Sequence, residues 1–327
     1  MMIVALIGVL VLGWSLGKNN LSNLFGTAIG THMVHLRTAE ILAALFVAIG
    51  AFLSGSATTS SVLKLSHLGL PQDIIVILIS AILVMDILSR LGIPASIVQT
   101  IVGAVVGVNL YQDTDTDWHL VQSIIGAWIW APIIAAGIGF ILMKGVRRIL
   151  IAYPLSLIKR DLILRILLIF GGVLAAFALG ANNIGTLTGP FLAVFDAFPR
   201  FGITALVCGA IGLGCLMADQ KVIETVGRKL FPLSPTEGFV VMLATALGMI
   251  FFSMEGIRNI LIFCHLPTFP LVPIPMSNVM IGAIVGISVA KGGYGLHYAV
   301  LGRILISWFM VPVVAGGLSF LLMMIGN

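Results

Sequence analysis

An all-α integral membrane protein of two inverted-topology repeats, with broken or re-entrant helices and roughly 10–12 membrane segments, is the fold the sequence predicts. Three observations predict it. The 327 residues are 60% hydrophobic and only 9% charged. The basic residues gather mid-chain. Short motifs recur in the same order in both halves.

Composition sets the solvent. Soluble domains carry about 25% charged residues, and a mean hydropathy of +1.18 points to a bilayer. Apolar runs Asp73–Met85, Ile93–Leu110, Val121–Met143, Leu162–Leu179, Val240–Phe252 and Ile304–Ile325 are separated by short polar joints. Several reach the roughly 20 residues that span hydrocarbon. The opening Met1–Leu16 has the length of a signal peptide. It lacks a basic start and a small-residue cleavage site, so it is read as retained.

The formal charge of +5 does not point to nucleic acid, because no basic surface is interleaved with aromatics. Lys144, Arg147, Arg148, Lys159, Arg160 and Arg165, opposed by Asp161, cluster instead around one loop. The positive-inside rule places that loop in the cytoplasm of a cell (inner or plasma) membrane, with both termini outside. Of the three cysteines, Cys208 and Cys215, seven apart on one helix face, read as small hydrophobes rather than a disulfide, and Cys264 says little.

The repeats follow from three anchors. Gly17-Lys-Asn-Asn returns 163 residues later as Gly180-Ala-Asn-Asn, and Gly103-Ala-Val-Val-Gly107 returns 179 later as Gly282-Ala-Ile-Val-Gly286. Trp128-Ile-Trp-Ala-Pro132 returns 180 later as Trp308-Phe-Met-Val-Pro312. Residues 1–150 form the first repeat, 151–160 a basic linker and 161–327 the second. A cytoplasmic seam with outer termini gives each half an odd number of crossings, so the copies are inverted, the architecture of secondary transporters.

The amide motifs read as matched polar interruptions. Glycine lets the backbone leave helical geometry, and Asn19, Asn20, Asn182 and Asn183 cap the next helix or donate to a ligand. Lys18 lies amid hydrocarbon with no acidic neighbour in sequence. It either snorkels to the surface or meets an anion near the midplane. A second matched pair starts two helices: Pro94 leads to Ser96, Gln99 and Thr100, and Pro275 leads to Ser277 and Asn278. Free N–H groups at helix starts suit anions, although each start alone is an ordinary cap.

At these residues the sequence resembles the inorganic phosphate transporter (PiT) family over nearly its whole length. That family carries Gly-Ala-Asn-Asp in each half and a Pro-x-Ser-Thr-Thr-His element before a later helix. The stretch Lys221–Phe239 is similar to one typical of the second repeat. The family aspartates fall on Asn20 and Asn183, an alanine on Lys18, and the histidines on Gln99 and Asn278. A family asparagine is kept as Asn23 and becomes Thr186 in the second half. The resemblance implies an alternating-access transporter whose aspartates hold coupling cations beside phosphate. Here amides stand where those carboxylates would be.

Phosphate near neutral pH carries a proton that a carboxylate can accept, whereas sulfate has none to give. Amide donors plus an ammonium therefore favour sulfate, as in the family's sulfate-permease branch. Phosphate import and a passive anion channel remain the alternatives. The expected substrate contacts are Lys18, Asn19, Asn20, Asn23, Ser96, Gln99, Thr100, Asn182, Asn183, Thr186, Ser277 and Asn278. Asp219, Glu224 and Glu255 could relay protons or simply be solvated at a membrane edge. His32 and His35 lack further ligands at a convincing spacing, so no metal site is expected. No nucleophile–base set or zinc-protease helix is visible, so an enzyme is not expected. No cofactor is expected beyond a coupling proton or sodium ion. The partners are the oxyanion, the lipid bilayer and, left open, a second copy as a homodimer.

Overall fold

The computed structural model describes residues 1–326 apart from 67, 91–95, 115, 154–155, 219–232 and 294–297. Among these, every regular element is an α-helix: α1 (Met2–Gly30), α2 (Leu36–Ser54), α3 (Ser56–Leu65), α4 (Pro71–Arg90), α5 (Ile97–Tyr111), α6 (Trp118–Ala152), α7 (Leu157–Val194), α8 (Arg200–Leu216), α9 (Pro235–Phe251), α10 (Glu255–Phe263), α11 (Met276–Ala290) and α12 (Tyr298–Gly326). Six are long and apolar enough to cross a membrane, and seven if the bent pair α9–α10 counts as one span. Three shorter apolar helices, α5, α8 and α11, accompany them. This is a multi-pass membrane protein.

The halves repeat element by element, with α1, α2, α4, α5 and α6 matched by α7, α8, α9, α11 and α12. The counterpart of α3 falls at 219–232, outside the described residues. The second half adds α10, so the sequence offset grows from 163 at the amide motif to 179 at α5 and α11.

Contacts fix the helix directions. Gly13 of α1 lies against Val207 and Ala210 of α8, and Gly17 against Ile211 and Cys215, so α1 and α8 run parallel. Likewise Gly50 of α2 and Gly55 just after it meet Phe177 and Ile184 of α7, so α2 and α7 run parallel. Between α2 and α8 the order reverses: Phe52 stacks on Phe201 at 5.2 Å, while Ala44 meets Gly212. It follows that α1 is antiparallel to its counterpart α7, and α2 to α8. The two repeats are inverted.

The halves also interlock. A Cβ on Gly103 or Gly107 of α5 would collide with the backbone of α12 at Pro312 or Gly316. A Cβ on Gly282 or Gly286 of α11 would collide with α6 at Pro132 or Ala136. Each repeat lends its tryptophan–proline helix to the other's glycine-rich short helix. Without a hydrophobic force between helices in lipid, such small-residue crossings hold them by close packing.

One expectation is corrected. The backbone does not leave helical geometry at Gly17 or Gly180; α1 and α7 run unbroken through both motifs. Both glycines are crossing points instead. A Cβ on Gly17 would sit 2.9 Å from the Cys215 amide nitrogen, and one on Gly180 would sit 3.0 Å from that of Ala51. The breaks lie elsewhere, at Gly55 between α2 and α3, at a 77° bend between α9 and α10, and at the starts of α5 and α11.

Candidate functional site

The second amide motif is fully enclosed. Asn182 and Asn183 are 0% and 3% exposed, and Thr186 is 1% exposed. The short helix α3 encloses them: Thr58 Oγ1 donates to the Ala181 carbonyl at 3.0 Å, and Gly185 and Gly189 leave room for α3 to lie flat on α7. The serine- and threonine-rich sequence of α3 mostly bonds inward to its own carbonyls. Ser61 also donates to the Leu271 carbonyl at 2.6 Å.

Leu271 begins the extended approach to α11, and Asn182 pins the same approach. Its Oδ1 accepts from the Ile274 amide at 2.8 Å and its Nδ2 donates to the Val272 carbonyl at 3.4 Å. Trp128 Nε1 donates to the Pro273 carbonyl at 3.2 Å. Three helices thus position the chain just before Ser277 and Asn278. Of the second-half candidates, Asn182 is thus tied to the segment that leads into Ser277 and Asn278, while Asn183 bonds within α7 to the Leu179 carbonyl.

The start of α5 shows why Gln99 and Asn278 differ. Pro312 has no N–H, so helix α12 cannot satisfy the Trp308 carbonyl four residues back. Gln99 Nε2 takes that carbonyl at 3.2 Å. The counterpart Asn278 has one methylene fewer. Its Oδ1 accepts from Ser277 at 3.4 Å, but among the described residues its Nδ2 is buried without a partner. Thr186 Oγ1 is likewise buried and unpartnered. Native interiors leave few such atoms. Ser96 caps α5 by accepting from the Gln99 amide, and Thr100 donates to the Ser96 carbonyl at 2.8 Å.

The first amide motif is more open. Asn19 is exposed, while Lys18, Asn20 and Asn23 are part-buried. The Lys18 ammonium lies 5.0 Å from the Trp14 ring centroid. Among the described residues the amides bond within α1: Asn19 to Ser15, Asn20 to the Leu16 carbonyl and Asn23 to Asn20. The counterparts of the segments that enclose Asn182 fall at 219–232 and 91–95, outside the described residues. In the antiparallel α1–α7 pair, Phe25 packs on Gly172. Each lies eight residues from its motif, which sets Gly17 level with Gly180.

Gln99 and Asn278 also edge a cavity of about 670 Å3 whose other walls are almost all apolar, among them Trp118, Trp128, Trp308, Phe309 and Phe320. Such walls suit hydrocarbon and would leave a dianion unsolvated. Of the proposed proton carriers, Asp219 and Glu224 lie outside the described residues, and Glu255 is exposed at the start of α10 after the bend. Trp128 and Trp308, which mark the repeat in sequence, also support the two short helices.

The profile of the family described as "Phosphate transporter family" matches residues 16–258. The chain belongs to the phosphate transporter family. Among its relatives, this family member is 30% identical to the sulfate permease CysP of Bacillus subtilis over 60% of its own length and 50% of that protein. It is 26% identical to a putative phosphate permease of Methanocaldococcus jannaschii over 94% and 92% of the two chains. It spans about a third (34%) of a putative phosphate permease of Pyrococcus abyssi, at 29% identity. A solved structure of "the sodium-dependent phosphate transporter" covers 99% of both chains with a TM-score of 0.78 at 21% identity, a likeness of fold.

Proposed function

We propose that this member of the family is a secondary active transporter importing a tetrahedral oxyanion, sulfate foremost, by alternating access. The observation that carries the reading is that Asn278 Nδ2 and Thr186 Oγ1, both from the expected set, are among the buried donors without partners in the described residues. Thr186 lies on α7 with the enclosed amides, and Asn278 follows the segment that Asn182 pins; a fully deprotonated oxyanion would satisfy donors of this kind. Asn182, Asn183 and Ser277 complete the second-half set. Lys18, Asn19, Asn20 and Asn23 supply charge and donors from the level-matched first motif, with Ser96, Gln99 and Thr100 at the other helix start. Asparagines at 20 and 183 support sulfate over phosphate, since an amide oxygen is a weaker, uncharged acceptor for a phosphate proton than a carboxylate and the amide nitrogen adds a donor. The identity to the sulfate permease CysP supports the same choice.

Inorganic phosphate is the second reading, favoured by the putative phosphate permease that the chain matches over 92% of that relative's length. The coupling ion is a proton or sodium. The basic 151–160 linker faces the cytoplasm and the termini face outward. The deciding experiment is uptake into proteoliposomes of labelled sulfate and phosphate in competition, repeated with a sodium gradient and a pH gradient. Uphill sulfate accumulation, resistant to excess phosphate, is expected. Downhill flux alone would make the chain a channel, and preferential phosphate uptake would transfer the site to phosphate.

A further inference from the structure

Away from the amide motifs, the ends of four helices line an open, partly polar cavity of about 320 Å3. Arg147 comes from the last turns of α6 and Arg160 from the first turn of α7. Lys291 follows α11, and Ser234 and Thr236 lie at the start of α9. Met143 and Leu150 form its apolar wall. The Lys291 ammonium pairs with Glu237 at 2.5 Å. That carboxylate is itself committed to the capping box of α9, where it accepts from the Ser234 amide at 2.8 Å. Among the described residues that line the cavity or pair with its lining, three cations face one carboxylate, an excess of two positive charges.

Its surroundings say what kind of anion fits. On the same two helix ends as the arginines, Ile149, Ile151, Leu157 and Ile158 are 60%, 74%, 78% and 84% exposed. Large aliphatic side chains beside cations match the boundary layer of a bilayer, where hydrocarbon and headgroups meet. An ion arriving from water has no use for them. The volume corresponds to about ten waters at ~30 Å3 each, room for a phosphate and the glycerol oxygens attached to it.

We propose that this cavity binds the phosphodiester of an anionic phospholipid headgroup. The two guanidiniums fork onto its oxygens, Lys291 adds a third cation, and the Ser234 and Thr236 hydroxyls donate. The bound lipid ties the end of the first repeat to the start of the second. None of these residues belongs to the proposed transport site.

The test uses the full chain purified in neutral detergent, with native mass spectrometry reading the binding of phosphatidylglycerol, phosphatidylcholine and inorganic phosphate. Phosphatidylglycerol should bind well above phosphatidylcholine, and equimolar inorganic phosphate should not displace it. A cation near an anionic headgroup contributes about 1 kcal/mol, a factor of about five. Arg147→Gln with Arg160→Gln should therefore weaken phosphatidylglycerol binding about 25-fold and phosphatidylcholine, whose choline offsets its phosphodiester charge, by much less. If the double variant fails to reach the membrane, Arg160→Gln alone should read about five-fold. Equal binding of the two lipids, or wild-type affinity in the variants, overturns the proposal. Full displacement by inorganic phosphate also overturns it and makes the cavity a site for soluble anions.

Discussion

Gly180→Ala tests whether this glycine is a crossing point, because an uncrowded helical glycine and a crossing predict opposite signs. A glycine with free space in a helix interior gives about 1 kcal/mol of helix stability when replaced by alanine. In the structure α7 is continuous there, and the new Cβ would lie 2.8 Å from the Val47 carbonyl carbon and 3.0 Å from the Ala51 amide nitrogen. Carbon contacts are comfortable near ~3.5–4.0 Å, and both neighbours are backbone that cannot rotate away. Helices α2 and α7 would have to part by roughly 1 Å. Overpacking of this kind costs about 1–3 kcal/mol. With an unyielding neighbour, about 2–3 is the appropriate part of that range. Subtracting the propensity gain leaves a loss of about 1–2 kcal/mol and a Tm about 2–4 °C lower. The control is Gly137→Ala in α6, where nothing lies within 4 Å of the new methyl and a small gain is expected. Both Tm values are read by thermal unfolding of purified protein in detergent. A rise for Gly180→Ala as large as that of the control would refute the crossing.

Four further outcomes are expected. Lys18→Ala should cut labelled sulfate uptake at least tenfold while a fluorescent fusion still reaches the membrane at normal yield; unchanged uptake would remove the ammonium from the mechanism. Asn278→Leu should raise or preserve Tm, since it deletes a buried donor without a partner, yet lower uptake; a fall in stability with normal uptake would make Asn278 a structural residue. Asn182→Ala should lose about 2–4 kcal/mol by stranding the Ile274 N–H and Val272 carbonyl, and faster proteolysis near 271–275 would report the loosened segment. Trp128→Phe removes one hydrogen bond to Pro273, worth about 1 kcal/mol, and should slow uptake more than it lowers Tm.

Much of the architecture was legible in the sequence because it is written locally. Hydrocarbon content gives the spans, and the returns of Gly103–Gly107 and Trp128–Pro132 give the repeat. The amide motifs were misread because glycine followed by asparagines looks the same at a break and at a crossing. What distinguishes them is a neighbour such as Cys215 or Ala51, more than a hundred residues away in the chain. The amide positions were legible as a set, but their unequal enclosure was not. Asn182 is buried by α3 and by the approach to α11, and nothing in Gly180-Ala-Asn-Asn announces either segment. The contrast between Gln99 and Asn278 was present in the letters. It acquires meaning through the carbonyl that Pro312 releases on a distant helix.

The exchange of partners between halves bears on how the chain is made. While the ribosome is still producing α7, the carbonyl ridges of α6 and the grooved face of α5 have already entered the membrane, yet the helices that fit them have not been translated. The first half must wait in lipid, without its final packing, until α11 and α12 arrive. Two separately translated halves, cut at the basic linker, should therefore each be short-lived alone and rescue one another when produced in the same cell.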